Sequence, residues 1–164
     1  MKIVSTEDIK DVLNRACGAD SKKLADMMQL LKLNQPEILN YLNTVGASFL
    51  NEDEQRCFTF MGVNIWQMMA KSNVIFKQIT KSDIGENTAK VTLILRDLKR
   101  SADFSGQLKK NIKEDAQPAI LEYVLTSLNT VHKHEIRSEN KTLIFFLLKV
   151  LVDSFKSSEE QLAS

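Results

Sequence analysis

The two prolines of this chain stand in two copies of one phrase. Residues 35–42 read QPEILNYL and residues 117–124 read QPAILEYV, 82 residues apart, with five of eight positions identical. The only two tyrosines, Tyr41 and Tyr123, also occupy matching places in that phrase. A short match arises by chance when every window is compared, so the rare residues carry the argument. The apolar stripe Ile9, Val12, Leu13, Ala16 recurs at the same offset as Val91, Ile94, Leu95, Leu98. Ala19-Asp20 matches Ala102-Asp103 at 83, and Glu52, Phe58 and Val63 match Glu139, Phe145 and Val150 at 87. Internal repetition constrains a fold before any other feature. It points to a tandem duplication, with halves at about residues 1–79 and 83–157 and a frayed polar tail at 158–164.

Within each half the apolar spacing is helical. Strand-type alternation is nearly absent, and the chain has only 5 glycines and 2 prolines to interrupt helices. Eight helices are expected. Ser5 with Asp8 forms an S-x-x-D start, and Gly18 suits a left-handed stop. Asp20-Ser21 opens a second helix carrying Leu24, Met27, Met28 and Leu31. Asn34 is the N-cap candidate that opens the third helix, with Pro36 in the first turn, where proline is pre-organised. Gln35 can reach back toward the free amides of that turn. Asn51 caps a fourth helix whose Glu52, Asp53 and Glu54 suit the positive end of the dipole. The helical pattern breaks over ITKSDIGE, Ile79 to Glu86, which reads as the boundary between halves. Helices five to eight follow, carrying Val91 to Leu98, Leu108 with Ile112, Ile120 to Leu128, and the LIFFLLKVLV run from Leu143.

The expected fold is therefore all-α: an eight-helix bundle of two four-helix repeats related by approximate twofold symmetry, packed as one cooperative domain. A unit of about 75 residues has a marginal core alone, which favours packing the halves together. The apolar eighth helix belongs at the centre, touching both halves. A short α-solenoid of helix pairs is the alternative.

Several function classes drop out. Net charge is +1, from 22 basic and 21 acidic residues, and no basic stripe invites nucleic acid. The most apolar stretch is too short to span a bilayer and contains Lys149, so no membrane insertion is expected. The N-terminus has no signal-peptide pattern, and the default location is the cytoplasm. Cys17 and Cys57 lack metal or redox spacing and read as small core hydrophobes. No phosphate-binding loop, dinucleotide fingerprint, zinc-protease or serine-hydrolase motif occurs. No cofactor is expected.

His132 and His134, in HKHE, read as the basic end of a helix. From a regular helix they point to different sides. In a frayed end both can face one ion together with Glu135, but zinc normally needs three or four ligands. Trp66 with Met68 and Met69 forms a soft apolar neighbourhood that can accept a partner helix or ligand, although such residues more often fill a core.

The sequence favours a non-catalytic helical interaction module that binds a protein partner or itself. The alternative is a small-molecule or lipid-binding bundle with a cavity near Trp66. An enzyme whose residues converge from distant helices ranks last, with Glu52, Glu139, His132 and His134 as its candidates.

Overall fold

The computed structural model describes residues 2–17, 21–72 and 77–163, with side chains to residue 156. Among these residues the chain is all-α, with eight helices and no strand. They are α1 (Thr6–Cys17), α2 (Ser21–Asn34), α3 (Pro36–Thr44), α4 (Glu52–Ser72), α5 (Lys81–Arg100), α6 (Phe104–Glu114), α7 (Pro118–Asn129) and α8 (Ser138–Ala163). No described helix is long and apolar enough to cross a membrane.

The helices pack as a bundle around α4 and α8. α1 lies on α4, and α5 lies along α8. α2 pairs with α3 and α6 with α7, while α4 and α8 meet each other directly. The reason is composition. α4 is apolar over a wide arc, burying Phe58, Met61, Ile65, Met68 and Met69 completely. α8 buries Ile144, Phe145, Leu148, Leu151 and Phe155. A helix without a broad polar face is covered on several sides. α3 approaches α4 closely at Gly62, where an added Cβ would fall 2.4 Å from Leu42 Cδ2.

α1 and α4 start at the caps written in the sequence, whereas Asn34, the expected cap of α3, is the last residue of α2, and Gln35 holds the N-cap position. Asp8 N–H donates to Ser5 Oγ (3.1 Å), and Glu54 N–H to Asn51 Oδ1 (2.9 Å). The expected boundary at ITKSDIGE is different in the structure. Thr80 and Asp83 form a reciprocal capping box, and α5 begins at Lys81. The first turns of α5 are polar apart from Ile84, so apolar spacing misses them while the T-x-x-D cap marks them. Cys17, expected in the core, is exposed at the last residue of α1. α8 runs on through residues 158–163, which the sequence reading set apart as a tail. The Gly18 stop and the Ala19-Asp20 match lie outside the described residues.

The glutamines of the repeated phrase do something the sequence reading missed. Neither caps its own helix, although both occupy the N-cap position with similar backbone angles. Gln35 instead accepts from Ile79 N (2.8 Å) and donates to the Lys77 carbonyl (3.2 Å). Gln117 accepts from Val4 N (2.9 Å) and donates to the Lys2 carbonyl (3.1 Å). Each buried side-chain amide thus pairs with the extended backbone that leads into α5 or α1. The buried peptide groups there gain the partners they need. Tyr41 Oη, from the same phrase, donates to the Leu147 carbonyl on α8 (2.8 Å), and Asn64 on α4 donates to Tyr123 Oη (3.5 Å).

Candidate functional site

The site is built on α4 and on the connection between α7 and α8, residues 130–137. Glu54 fastens the two together. Its side chain is fully buried, and both oxygens are occupied. Oε1 accepts from Arg137 N (3.0 Å) and Nε (2.9 Å); Oε2 accepts from Arg137 Nη2 and Asn140 Nδ2, both at 3.0 Å. Arg137 Nη2 also donates to the Phe49 carbonyl (2.9 Å). The Arg137 guanidinium, with the amides of Arg137, Asn51 and Asn140, outweighs the effect of burial. It holds the Glu54 carboxyl down at about 2. A buried carboxylate with this many donors keeps its charge, so the connection is pinned against the first turn of α4.

One turn further along α4 stands Cys57, 3% exposed. The pinned connection carries His132, 8% exposed, and Glu135 toward it. The His132 amide donates to the Ser127 carbonyl (2.9 Å), and the His132 carbonyl accepts from Glu135 N and Ile136 N, both 3.2 Å. These bonds make a compact turn rather than a frayed end. The His132 ring sits edge-on to Phe60, with centroids 6.3 Å apart. Its Nδ1 lies 3.3 Å from Cys57 Sγ, and the Cys57 thiol donates to Glu135 Oε2 at 3.0 Å. His132 Nδ1 and Glu135 Oε1 are 3.9 Å apart.

These three groups stand at the wall of an open pocket of about 610 Å³. Leu24 and Met28 of α2 and Phe60 of α4 make it apolar; Asn43, Gln55, Arg56 and Thr59 complete the lining. Gln55 donates to the Leu42 carbonyl (2.7 Å), while its buried Oε1 has no hydrogen-bond donor among the described residues. Burial, reinforced by the neighbouring Glu135 carboxylate, pushes the Cys57 thiol up to about 12. Burial lowers the basicity of His132, against the opposing pull of Glu135. An activated cysteine nucleophile needs the opposite shift. This cysteine is a thiol, beside an imidazole that burial biases toward its neutral form.

The residues proposed from sequence are distributed differently. Met68 and Met69 are fully buried in the core, and Trp66 is half-buried against it. None of the three lines this pocket. Glu52, Glu139 and His134 are exposed and stand outside the three-residue group, which joins His132 and Glu135 to Cys57. The HKHE segment is no helix end: α7 stops at Asn129, and the connection turns His132 inward. The missed member is Cys57, which lies 75 residues before His132 in sequence. No local spacing joins them; the Glu54–Arg137 attachment and the packing of α4 on α8 bring them together. No family model matches the chain, and no curated protein or solved structure shows detectable similarity to it.

Proposed function

We propose that the protein is a helical binding module whose pocket takes a small molecule with an apolar body and a polar head. The observation that carries this is the convergence of Cys57, His132 and Glu135 at the wall of a pocket of about 610 Å³ with an apolar side formed by Leu24, Met28 and Phe60. Small-ligand sites commonly combine a concave apolar lining with a few convergent polar groups. The volume falls inside the usual range of about 300–1,000 Å³ for such sites. The Leu24 and Met28 side chains suit an apolar body, and the thiol, imidazole and carboxylate suit the head. An anilinonaphthalene dye is the probe. Its fluorescence should rise on titration with the folded protein, and Met28→Glu should weaken binding at least about tenfold with the helix content unchanged. Tenfold corresponds to about 1.4 kcal/mol of binding free energy. Equal dye binding by wild type and Met28→Glu would remove the pocket from the account.

A protein-interaction role is the second reading, favoured by α2. Leu30 and Leu33 are 53% and 69% exposed there, and only Leu31 of that helix is buried. A partner helix laid along α2 would cover both leucines. Self-association through this face predicts a dimer in sedimentation that Leu33→Glu dissolves; a monomer in both proteins argues against it.

We also read the bundle as two related halves about an approximate twofold axis. The support is reciprocity: Gln35 of the first half clasps the segment leading into α5, and Gln117 of the second clasps the segment leading into α1. The pairings of α1 with α4 and α5 with α8 fit the same reading. On this reading Gln35→Ala and Gln117→Ala each lower stability by about 1–3 kcal/mol, the cost of stranding buried peptide groups. A large loss in one and none in the other would speak against equivalent roles.

A further inference from the structure

We infer that Cys57, His132 and Glu135 form an open three-donor site for a divalent transition-metal ion of the zinc class. The inference goes beyond the pocket reading, since the donors can hold an ion whether or not an organic molecule enters.

The geometry carries it. A tetrahedral zinc ion with bonds of about 2.0–2.3 Å sets its donors roughly 3.3–3.6 Å apart. The separations here are 3.3 Å from Cys57 Sγ to His132 Nδ1, 3.0 Å from Sγ to Glu135 Oε2, and 3.9 Å from Nδ1 to Glu135 Oε1. The two buried donors stand 3.3 Å apart, within about 0.3 Å of the roughly 3.5–3.6 Å that tetrahedral Zn–S and Zn–N bonds set. The two Glu135 separations run to different carboxylate oxygens; one donor atom from each residue lies within 4.8 Å of the other two, and Glu135, whose side chain is 54% exposed, has room to bring a single oxygen into line. The donor types agree as well, since thiolate and imidazole together select zinc-like ions over calcium or magnesium.

Charge is the second argument. A divalent ion against one thiolate and one carboxylate is neutral, which suits a site whose sulfur and imidazole are almost entirely buried. In binding, the Cys57 S–H bond breaks, its proton passes to solvent, and the sulfur electron pair forms the bond to the ion. His132 contributes the Nδ1 lone pair and Glu135 one oxygen. Three protein donors leave the fourth position open, the arrangement of a catalytic or ligand-exchanging centre rather than a closed structural one. All three residues line the pocket, so a ligand for that position can come from it.

The supporting shell is already in place. Glu54 pins the connection through Arg137, two residues beyond Glu135, and Phe60 fixes the His132 ring by an edge contact. A site whose donors are held by packing and hydrogen bonds needs little rearrangement to take an ion.

Cobalt(II) tests this directly on the full chain after dialysis against a chelator. The expected result is a near-ultraviolet thiolate-to-cobalt band with the visible absorption of a four-coordinate ion, saturating at one cobalt per chain. Cys17→Ser should keep both signals, and Cys57→Ser should lose the thiolate band. Glu135→Gln alters an exposed side chain and preserves the fold if Cys57→Ser does not. It should weaken cobalt at least about tenfold, since even outer-shell partners of metal sites are worth that much. The inference is overturned if the wild type gives no thiolate band, if the band survives in Cys57→Ser, or if Glu135→Gln binds cobalt unchanged. Dye binding to the metal-free protein is measured alongside. Dye uptake without cobalt binding sinks the metal site and leaves the pocket standing, and cobalt binding without dye uptake does the reverse.

Discussion

Glu54 shows how one side chain can set the geometry of a distant loop. Its carboxylate satisfies Asn51 in a helix start and then reaches Arg137 and Asn140 across the bundle. Its proton affinity falls from the ordinary carboxylate value to about 2 because Arg137 donates to it. The stability it contributes is therefore complete above that ordinary value, near 4.5, and is lost as pH falls toward about 2. Thermal melts across this window should show wild type dropping steeply. Glu54→Gln should start lower at neutral pH, by about 1–3 kcal/mol for the donors left without a charged acceptor, and fall less. Parallel curves would contradict this role. At this scale the sequence was partly legible. Residues 52–54 announced a helix start, but which acid turned inward was not written there. Glu52 matched Glu139 in the repeat, yet both are exposed, and the buried acid is Glu54. Gln35 and Gln117 were singled out by repetition, but their partners lie 42 to 115 residues away, beyond any local pattern.

Helices were the most legible elements, because period and caps are local. Apolar stripes identified all eight, and the S-x-x-D and N-x-x-E starts located α1 and α4. α5 was read late, since its first turns carry polar residues and only the Thr80–Asp83 cap marks them. The α7–α8 connection was read as helix because VHKHE breaks no propensity rule. What ends α7 is the inward turn of His132 and the grip of Glu54 on Arg137, both tertiary. How closely elements pack is also invisible in one dimension. Gly62 lets α3 approach α4 where a methyl group would strike Leu42. Leu42 is fully buried, with little room to move. Gly62→Ala gains helix propensity worth about 1 kcal/mol but overpacks the contact at a cost of about 1–3 kcal/mol. A net loss of stability in urea unfolding is expected; a gain would mean that α3 yields freely. The α6–α7 connection is held differently. Lys149 and Lys156 of α8 alternate with Asp115 and Asp153, at 2.7 Å for Lys149–Asp115 and for Lys156–Asp153. Although burial raises the affinity of Asp115 for a proton, Lys149 and the Gln117 amide more than offset it. A lysine inside the LIFFLLKVLV run, which argued against a membrane span, has its ion partners in this network.

The whole molecule joins two central helices, and its candidate site lies where one meets the loop that leads into the other. That explains why the recurring QPxILxY phrase was legible and the site was not. Repetition is a property of the string, whereas Cys57 and His132 meet only after α4 and α8 pack together. Trp66, Met68 and Met69 drew attention by composition alone, and the latter two are core residues. The six methionines separate the two locations experimentally, since Met28 lines the pocket while Met68 and Met69 do not. Methyl-labelled methionine spectra, recorded during titration with the anilinonaphthalene dye, test the location most directly. The account predicts that the Met28 methyl resonance shifts in step with binding, while Met68 and Met69 hold still. Shifts centred on Met68 and Met69, with Met28 unmoved, would place binding beside Trp66 and contradict it.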